Sequence, residues 1–169
     1  MKRRFVTSRR LAAAGAMCAI VATSYAATRP APPITLRFDD GSTTTLASYK
    51  GQVVLVDFWA SWCVPCKTSF PVLDALYKQH RDRGLVVIAV NVDERPSDAQ
   101  AFLAGRPHTM PIALDHKGDA AKAFAVQGMP TSFLIDRSGH IRFVHSGYSA
   151  KTLERYRDEV SRLLAEHQP

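Results

Sequence analysis

The chain reads as an α/β protein: a mixed β-sheet flanked by helices, with an added β-hairpin in front. Three observations predict this. Val53-Val54-Leu55-Val56-Asp57-Phe58-Trp59 and Leu85 to Val92 are apolar runs without polar alternation, the mark of central strands covered on both faces. Between them Phe70, Leu73, Leu76 and Tyr77 recur at helical spacing. Later, two strand-like runs flank Arg137-Ser138-Gly139-His140, a tight turn that closes a second hairpin. Strands that alternate with helices early and pair locally late place parallel and antiparallel neighbours in one sheet.

The first 26 residues read as a targeting segment rather than fold. Lys2, Arg3, Arg4, Arg9 and Arg10 form a basic start, Leu11 to Ala22 an apolar stretch, and Ser24-Tyr25-Ala26 a small-residue cleavage site after Ala26. The apolar stretch is shorter than the roughly 20 residues of a membrane span. Retention as an uncleaved membrane tether is the alternative. Ser8-Arg9-Arg10-Leu11 resembles a twin-arginine signal, with Ala12 and Ala13 where bulkier apolar residues are usual, so the export route stays open. Cys18 is an apolar filler lost with this segment.

Charge follows the same division. Of 22 Lys+Arg, five precede Ala27, leaving 17 basic against 15 acidic residues, a net charge near +2. That is no footprint for nucleic acid or anionic lipid. The remaining 143 of the 169 residues suffice for one domain with its own core. They keep two cysteines, three positions apart, whereas a disulfide scaffold would spread more of them along the chain.

Residues 27–33 carry three prolines and read as an extended lead-in to a domain spanning 34–169. Ile34 to Phe38 alternates as a strand, Asp40-Gly41 turns, and Thr43 to Leu46 pairs back. Lys50-Gly51 punctuates the chain before the first central strand. The helix after Cys66 runs to about Arg83, is bent by Pro71 and ends at Gly84. Ser97 and Gln100 suggest a capping box for a short helix buried through Phe102 and Leu103 and stopped by Gly105 and Pro107. Pro111 to Leu114 is a short extended piece and Asp119 to Ala125 a small helix. Thr131 to Asp136 and Ile141 to Ser146 form the late hairpin, and Leu153, Tyr156, Val160, Leu163 and Leu164 stripe a C-terminal helix.

The chemistry gathers at Trp62-Cys63-Val64-Pro65-Cys66, between the first central strand and the helix. Two cysteines on one turn can close a disulfide and reopen it. The leading sulfur lies over the free N–H groups of a helix start, where negative charge is stabilised and the reactive thiolate favoured. Zinc would need a second ligand pair, and none stands at suitable spacing. Lys67 rather than His follows Cys66, which excludes the c-type haem attachment motif. The sulfurs carry the electrons themselves, so no cofactor is called for.

Trp62-Cys63-Val64-Pro65-Cys66-Lys67 after a strand, Pro71 in the helix, and Gly128-Met129-Pro130-Thr131 before a late strand resemble thioredoxin. The leading segment, the front hairpin, Phe58-Trp59-Ala60-Ser61-Trp62-Cys63, Ala89-Val90-Asn91-Val92-Asp93 and Pro130-Thr131-Ser132-Phe133-Leu134-Ile135-Asp136 narrow the resemblance. They are similar to exported TlpA/ResA-like thiol-disulfide oxidoreductases, from about Ile34 to the C-terminus. The resemblance implies a thioredoxin-like fold in the periplasm or an equivalent extracytoplasmic space, and a dithiol reductant of proteins. It implies clients such as apocytochrome c or the thiols of copper-assembly proteins, and a membrane electron donor of the DsbD type. Two positions depart from the pattern: Ser69 stands where many relatives carry Glu, and Asp57 where many carry Asn.

Within that reading Cys63 is the nucleophile, expected to be exposed, and Cys66 resolves the mixed disulfide. Asp57, on a buried strand, is the candidate proton acceptor for Cys66, its pKa raised toward neutrality by lost hydration. Pro65 suits the first helical turn. The Val64-Pro65 pair lacks the histidine of strong oxidants and favours a reducing role. Most X–Pro bonds are trans, but the resemblance implies a cis bond at Pro130, with Met129 and Thr131 beside it binding an extended client. Trp62 flanks the site; Trp59 reads as core or as a flank. His80, His116, His140 and His167 read as solvated. Alternatives on the same fold are a copper chaperone using Cys63 and Cys66, with His108 and Met110 as weak further candidates, and a thiol peroxidase. Against the latter, Ala60 occupies the position where a peroxidase carries Thr or Ser.

Overall fold

A computed structural model describes residues 28–166. The proposed targeting segment, Cys18 and His167 lie outside the described residues. The strands are β1 (Arg29–Pro30), β2 (Thr35–Arg37), β3 (Thr43–Thr45), β4 (Val53–Trp59), β5 (Leu85–Asn91), β6 (Ile112–Leu114), β7 (Thr131–Ile135) and β8 (His140–Ser146). The α-helices are α1 (Val64–His80), α2 (Pro96–Leu103), α3 (Asp119–Ala123) and α4 (Ala150–Ala165).

Six strands form one sheet in the order β1-β8-β7-β4-β5-β6, and β2 and β3 form a separate antiparallel pair. β4 runs parallel to β5 and antiparallel to β7, so the sheet is mixed, as its sequence order predicts. Every residue of β4 is buried. Its alternate side chains divide the core. Val53, Leu55 and Trp59 join a cluster with α1, α2 and α4, whereas Val54, Val56 and Phe58 join one with the β2–β3 hairpin and α3. Asp57 shares the parity of Leu55 and Trp59, which turns it toward the first cluster.

Several local features differ from the sequence reading. The front lead-in is partly a strand: Arg29 and Pro30 pair with Ile141 and His140 of β8. Proline is tolerated there because β1 is an edge. No capping box opens α2. Pro96 takes the first helical turn and Arg95 the cap, with no side-chain cap bond, so Ser97 lies inside the helix. A proline there loses no needed N–H and has its φ already set, which starts the helix earlier than Ser97 would. α1 ends in a short 3₁₀ turn, Arg81–Arg83, and Gly84 then takes φ 92°, a left-handed conformation that suits glycine. His80 is buried rather than solvated, at the last turn of α1 beside Arg83. Burial, then the nearby guanidinium, lowers its pKa.

Candidate active site

The central strand β4 ends at Trp59, Ser61 and Trp62 turn the chain, and α1 begins at Val64. That turn is held by a buried carboxylate. Asp93, just past β5, accepts hydrogen bonds from the Ser61 backbone N–H at 3.0 Å, the Ser61 hydroxyl and the Asn91 amide. Nothing in the linear spacing of Ser61 and Asp93 marks this brace; the parallel pairing of β4 and β5 creates it.

Cys63 is the N-cap of α1, and Cys63 and Cys66 are disulfide-bonded, with Cα atoms 5.3 Å apart. The Cys66 backbone N–H points at the Cys63 sulfur from 3.2 Å. Pro65 contributes no N–H to this first turn, and the Cys66 donor aims its positive end where a thiolate charge would sit. Cys63 is only 4% exposed and Cys66 1%, whereas Trp62 and Val64 are 68% and 71% exposed. The expected exposure of Cys63 is thus corrected. Its bond to the deeper Cys66 holds it against the apolar cluster, and the two large neighbours form the outer surface. Trp59 is core, with Phe102 and Phe70 centroids at 4.6 and 5.4 Å. Its Nε1 has no hydrogen-bond partner among the described residues.

Asp57 is 2% exposed. Loss of hydration raises its pKa to about 7, and a hydrogen bond from Ser132, Oγ to Oδ1 at 2.6 Å, opposes that rise. Ser132 lies directly across the β4–β7 pairing from Asp57, so both side chains share a face. Its hydroxyl also meets the Tyr156 hydroxyl of α4 at 2.5 Å. Ser132 and Tyr156 were legible only as strand and helix-stripe residues. A polar side chain in the otherwise apolar run Phe133-Leu134-Ile135 was the available signal for the first. Ser69, at the departing position, is buried and bonds back to the Cys66 carbonyl, so no ionisable side chain stands there.

The Met129–Pro130 bond is cis, as the resemblance implied. The Pro130 carbonyl accepts from Gly147 N–H at 2.8 Å, and the Thr131 hydroxyl donates to the Gly128 carbonyl at 2.7 Å. Neither the N–H nor the carbonyl of Met129 meets a partner among the described residues. Beside Trp62 lies an open groove of about 480 Å³, lined by Ser61, Lys67, Arg95, Phe102 and Arg106. Arg106 stacks its guanidinium on Phe102, 4.1 Å from the ring centre. The other histidine and methionine candidates are committed elsewhere: Met110 is core, and His108 Nδ1 lies 2.9 Å from the Arg106 carbonyl.

A Cys-x-x-Cys disulfide at the head of a helix that leaves a central strand of a thioredoxin-like sheet defines a thiol-disulfide oxidoreductase. Comparison with known proteins agrees. The thiol-disulfide oxidoreductase ResA of Geobacillus thermodenitrificans is 32% identical over 129 residues, covering 76% of this chain and 74% of that one. ResA of Bacillus subtilis is 32% identical over 123 residues, covering 73% and 69%. A Chlorobium tepidum structure assigned as thiol:disulfide interchange protein DsbE superposes with a TM-score of 0.78 at 38% identity, covering 82% of this chain and 97% of that one. Residues 26–162 match the Redoxin family profile, and the chain belongs to that family.

Proposed function

We propose that this protein reduces disulfides of client proteins outside the cytoplasm. The observation that carries the reading is the Cys63–Cys66 pair at the α1 N-terminus, with the buried Asp57 turned toward the same cluster. In the reduced protein the Cys63 thiolate attacks one sulfur of a client disulfide. That bond breaks, a Cys63–client disulfide forms, and the client's other sulfur leaves as a thiolate. Asp57 takes the proton of Cys66. The new thiolate attacks the Cys63 sulfur, closes the Cys63–Cys66 bond and expels the second client thiolate. Two electrons have then passed to the client. A membrane donor of the DsbD type returns them.

The Met129 N–H and carbonyl, without partners among the described residues and beside Pro130 and Thr131, support docking of an extended client segment by strand addition. The exposed Trp62 and Val64, with Pro65 between the cysteines, supply the side-chain surface around it. The basic-then-apolar opening of the chain supports export. Among the described residues no helix is long and apolar enough to cross a membrane. An apocytochrome c or a copper-assembly protein is the client class that fits this reading.

Cys66→Ser tests it. Without the resolving sulfur, client mixed disulfides accumulate on Cys63 and can be isolated from cells and identified. The reducing direction requires a potential nearer that of thioredoxin, about −270 mV, than that of DsbA, about −120 mV. A strongly oxidising value, or rapid sulfenic acid formation with hydrogen peroxide in place of trapped clients, sinks the proposal.

A further inference from the structure

We propose that Ser132 and Tyr156 form a hydroxyl chain that holds Asp57 in its proton-accepting form, and so sets the pH range in which Cys66 can resolve the mixed disulfide. This deepens the reading above and rests on Asp57 being the acceptor.

A serine hydroxyl has one hydrogen to give. When Asp57 is ionised, Ser132 gives it to Asp57 Oδ1 at 2.6 Å, and the 2.5 Å contact with Tyr156 is then donated by the tyrosine. The order is therefore Tyr156 to Ser132 to carboxylate. All three groups are buried, where each hydrogen bond strengthens the next and water cannot substitute. This order suits an ionised Asp57. Once Asp57 takes a proton it can itself become a donor, which requires Ser132 to turn its hydrogen toward Tyr156. The chain thus has one arrangement before the Cys66 proton arrives and another after it.

Burial raises the pKa of Asp57, and the Ser132 hydroxyl is the hydrogen-bond donor that opposes it. On β5, Asp57 lies opposite Ala89, with Val87 and Asn91 as uncharged neighbours on that face. α2 contributes Ala99 and Phe102 to the cluster, and α1 contributes the two cysteines beside apolar side chains. The charged or titratable groups near the two hydroxyls are Glu159 on the same helix as Tyr156, Tyr148 before it, and His145 of β8, which lies across the β7–β8 pairing from Ser132. The His145 ring meets Tyr156 edge-on, with centroids 4.9 Å apart, and its Nε2 lies 2.6 Å from Glu159 Oε2. Among the described residues none of them hydrogen-bonds Asp57, whose side-chain partner is Ser132. Burial that raises the pKa of Asp57 is opposed by the Ser132 bond, consistent with the hydroxyls favouring the ionised form.

Ser132 and Tyr156 are positioning residues, since they act through Asp57. Tyr156→Phe keeps the ring and removes the second donor. Ser132→Ala removes the bridge and leaves the tyrosine hydroxyl without its partner. Ser132→Thr restores a hydroxyl. The reduced full-length protein is mixed with a peptide disulfide, and the closing of Cys63–Cys66 is followed by stopped-flow tryptophan fluorescence from pH 5 to 9. The Asp57 carboxyl carbon is titrated in parallel by NMR. The expected result is an upward move of both midpoints by about one pH unit in Tyr156→Phe, a larger move in Ser132→Ala, and recovery in Ser132→Thr. Merely loosened packing would slow the reaction without moving either midpoint.

Two outcomes overturn the inference and can be told apart. If Asp57→Asn abolishes the kinetic midpoint but Tyr156→Phe and Ser132→Ala titrate like the native protein, the hydroxyl chain has no role and the acceptor reading survives. If Asp57→Asn leaves the midpoint in place, Asp57 is not the acceptor, and the inference falls with that reading. Should Ser132→Ala fail to fold, Tyr156→Phe decides alone, because it alters no packing atom of the ring.

Discussion

Asp57 ties stability to chemistry at the scale of one residue. Its folded pKa is about 7, raised from 3.8 by burial. Between those values the folded state holds a proton that the unfolded chain has released. Stability therefore falls as pH rises from about 4 through 7, and above that the carboxylate costs on the order of 4 kcal/mol. Asp57→Asn removes the charge, so the oxidised variant should gain on the native protein as pH rises. Urea unfolding at pH 5 and pH 8 measures this, and an identical difference at the two pH values would falsify the assignment. A buried acid in the middle of an apolar strand was visible in the sequence. Its partners were not, because Ser132 is 75 positions away and only the antiparallel β4–β7 register brings it opposite.

Elements are held by carboxylates used in the opposite sense. Asp74 on α1 is buried, which alone would raise its pKa. The Lys78 ammonium at 2.7 Å, the N–H groups of Thr109 and Met110, and the Thr109 hydroxyl outweigh burial and lower it to about 2. Here the folded value lies below the unfolded one. The stabilisation is present above about pH 4 and is lost as pH falls toward 2, amounting to about 2 kcal/mol. Asp74→Asn should remove that acid sensitivity and speed hydrogen exchange at the Thr109 and Met110 amides, which tie the loop before β6 to α1. Unchanged exchange at both amides would show that the clamp is not formed in solution. The helical period exposed the apolar face of α1, but periodicity says nothing about which loop a buried acid on that face will hold.

Across the whole molecule the sheet separates two jobs. One face carries α1, α2, α4 and the redox pair; the other is closed by α3 and the β2–β3 hairpin. The hairpin is fastened to the sheet by a bridge from Phe38 to Ala113 and by the buried Leu36. Leu36→Ala should cost about 2 to 4 kcal/mol through the cavity it leaves. The rate of exchange between Cys63 and a small disulfide should be unaffected, because the sheet lies between the two sites. Denaturant titration and a stopped-flow exchange assay separate these effects, and a large loss of exchange rate in a folded variant would contradict this division.

The two central strands, the helix between them, the front and late hairpins and the reactive cysteine pair were determined by sequence alone, because each depends on side-chain period or on neighbours within a turn, whereas the edge strand β1 was not. Local spacing also placed the disulfide at a helix start. Only the tertiary structure decided how far each cysteine is covered, which hydroxyls meet Asp57, and what braces Ser61 before the active turn. Those contacts join side chains from separate strands and helices. A burial-driven pKa or a hydrogen-bond order exists only after the sheet has set their register and excluded water.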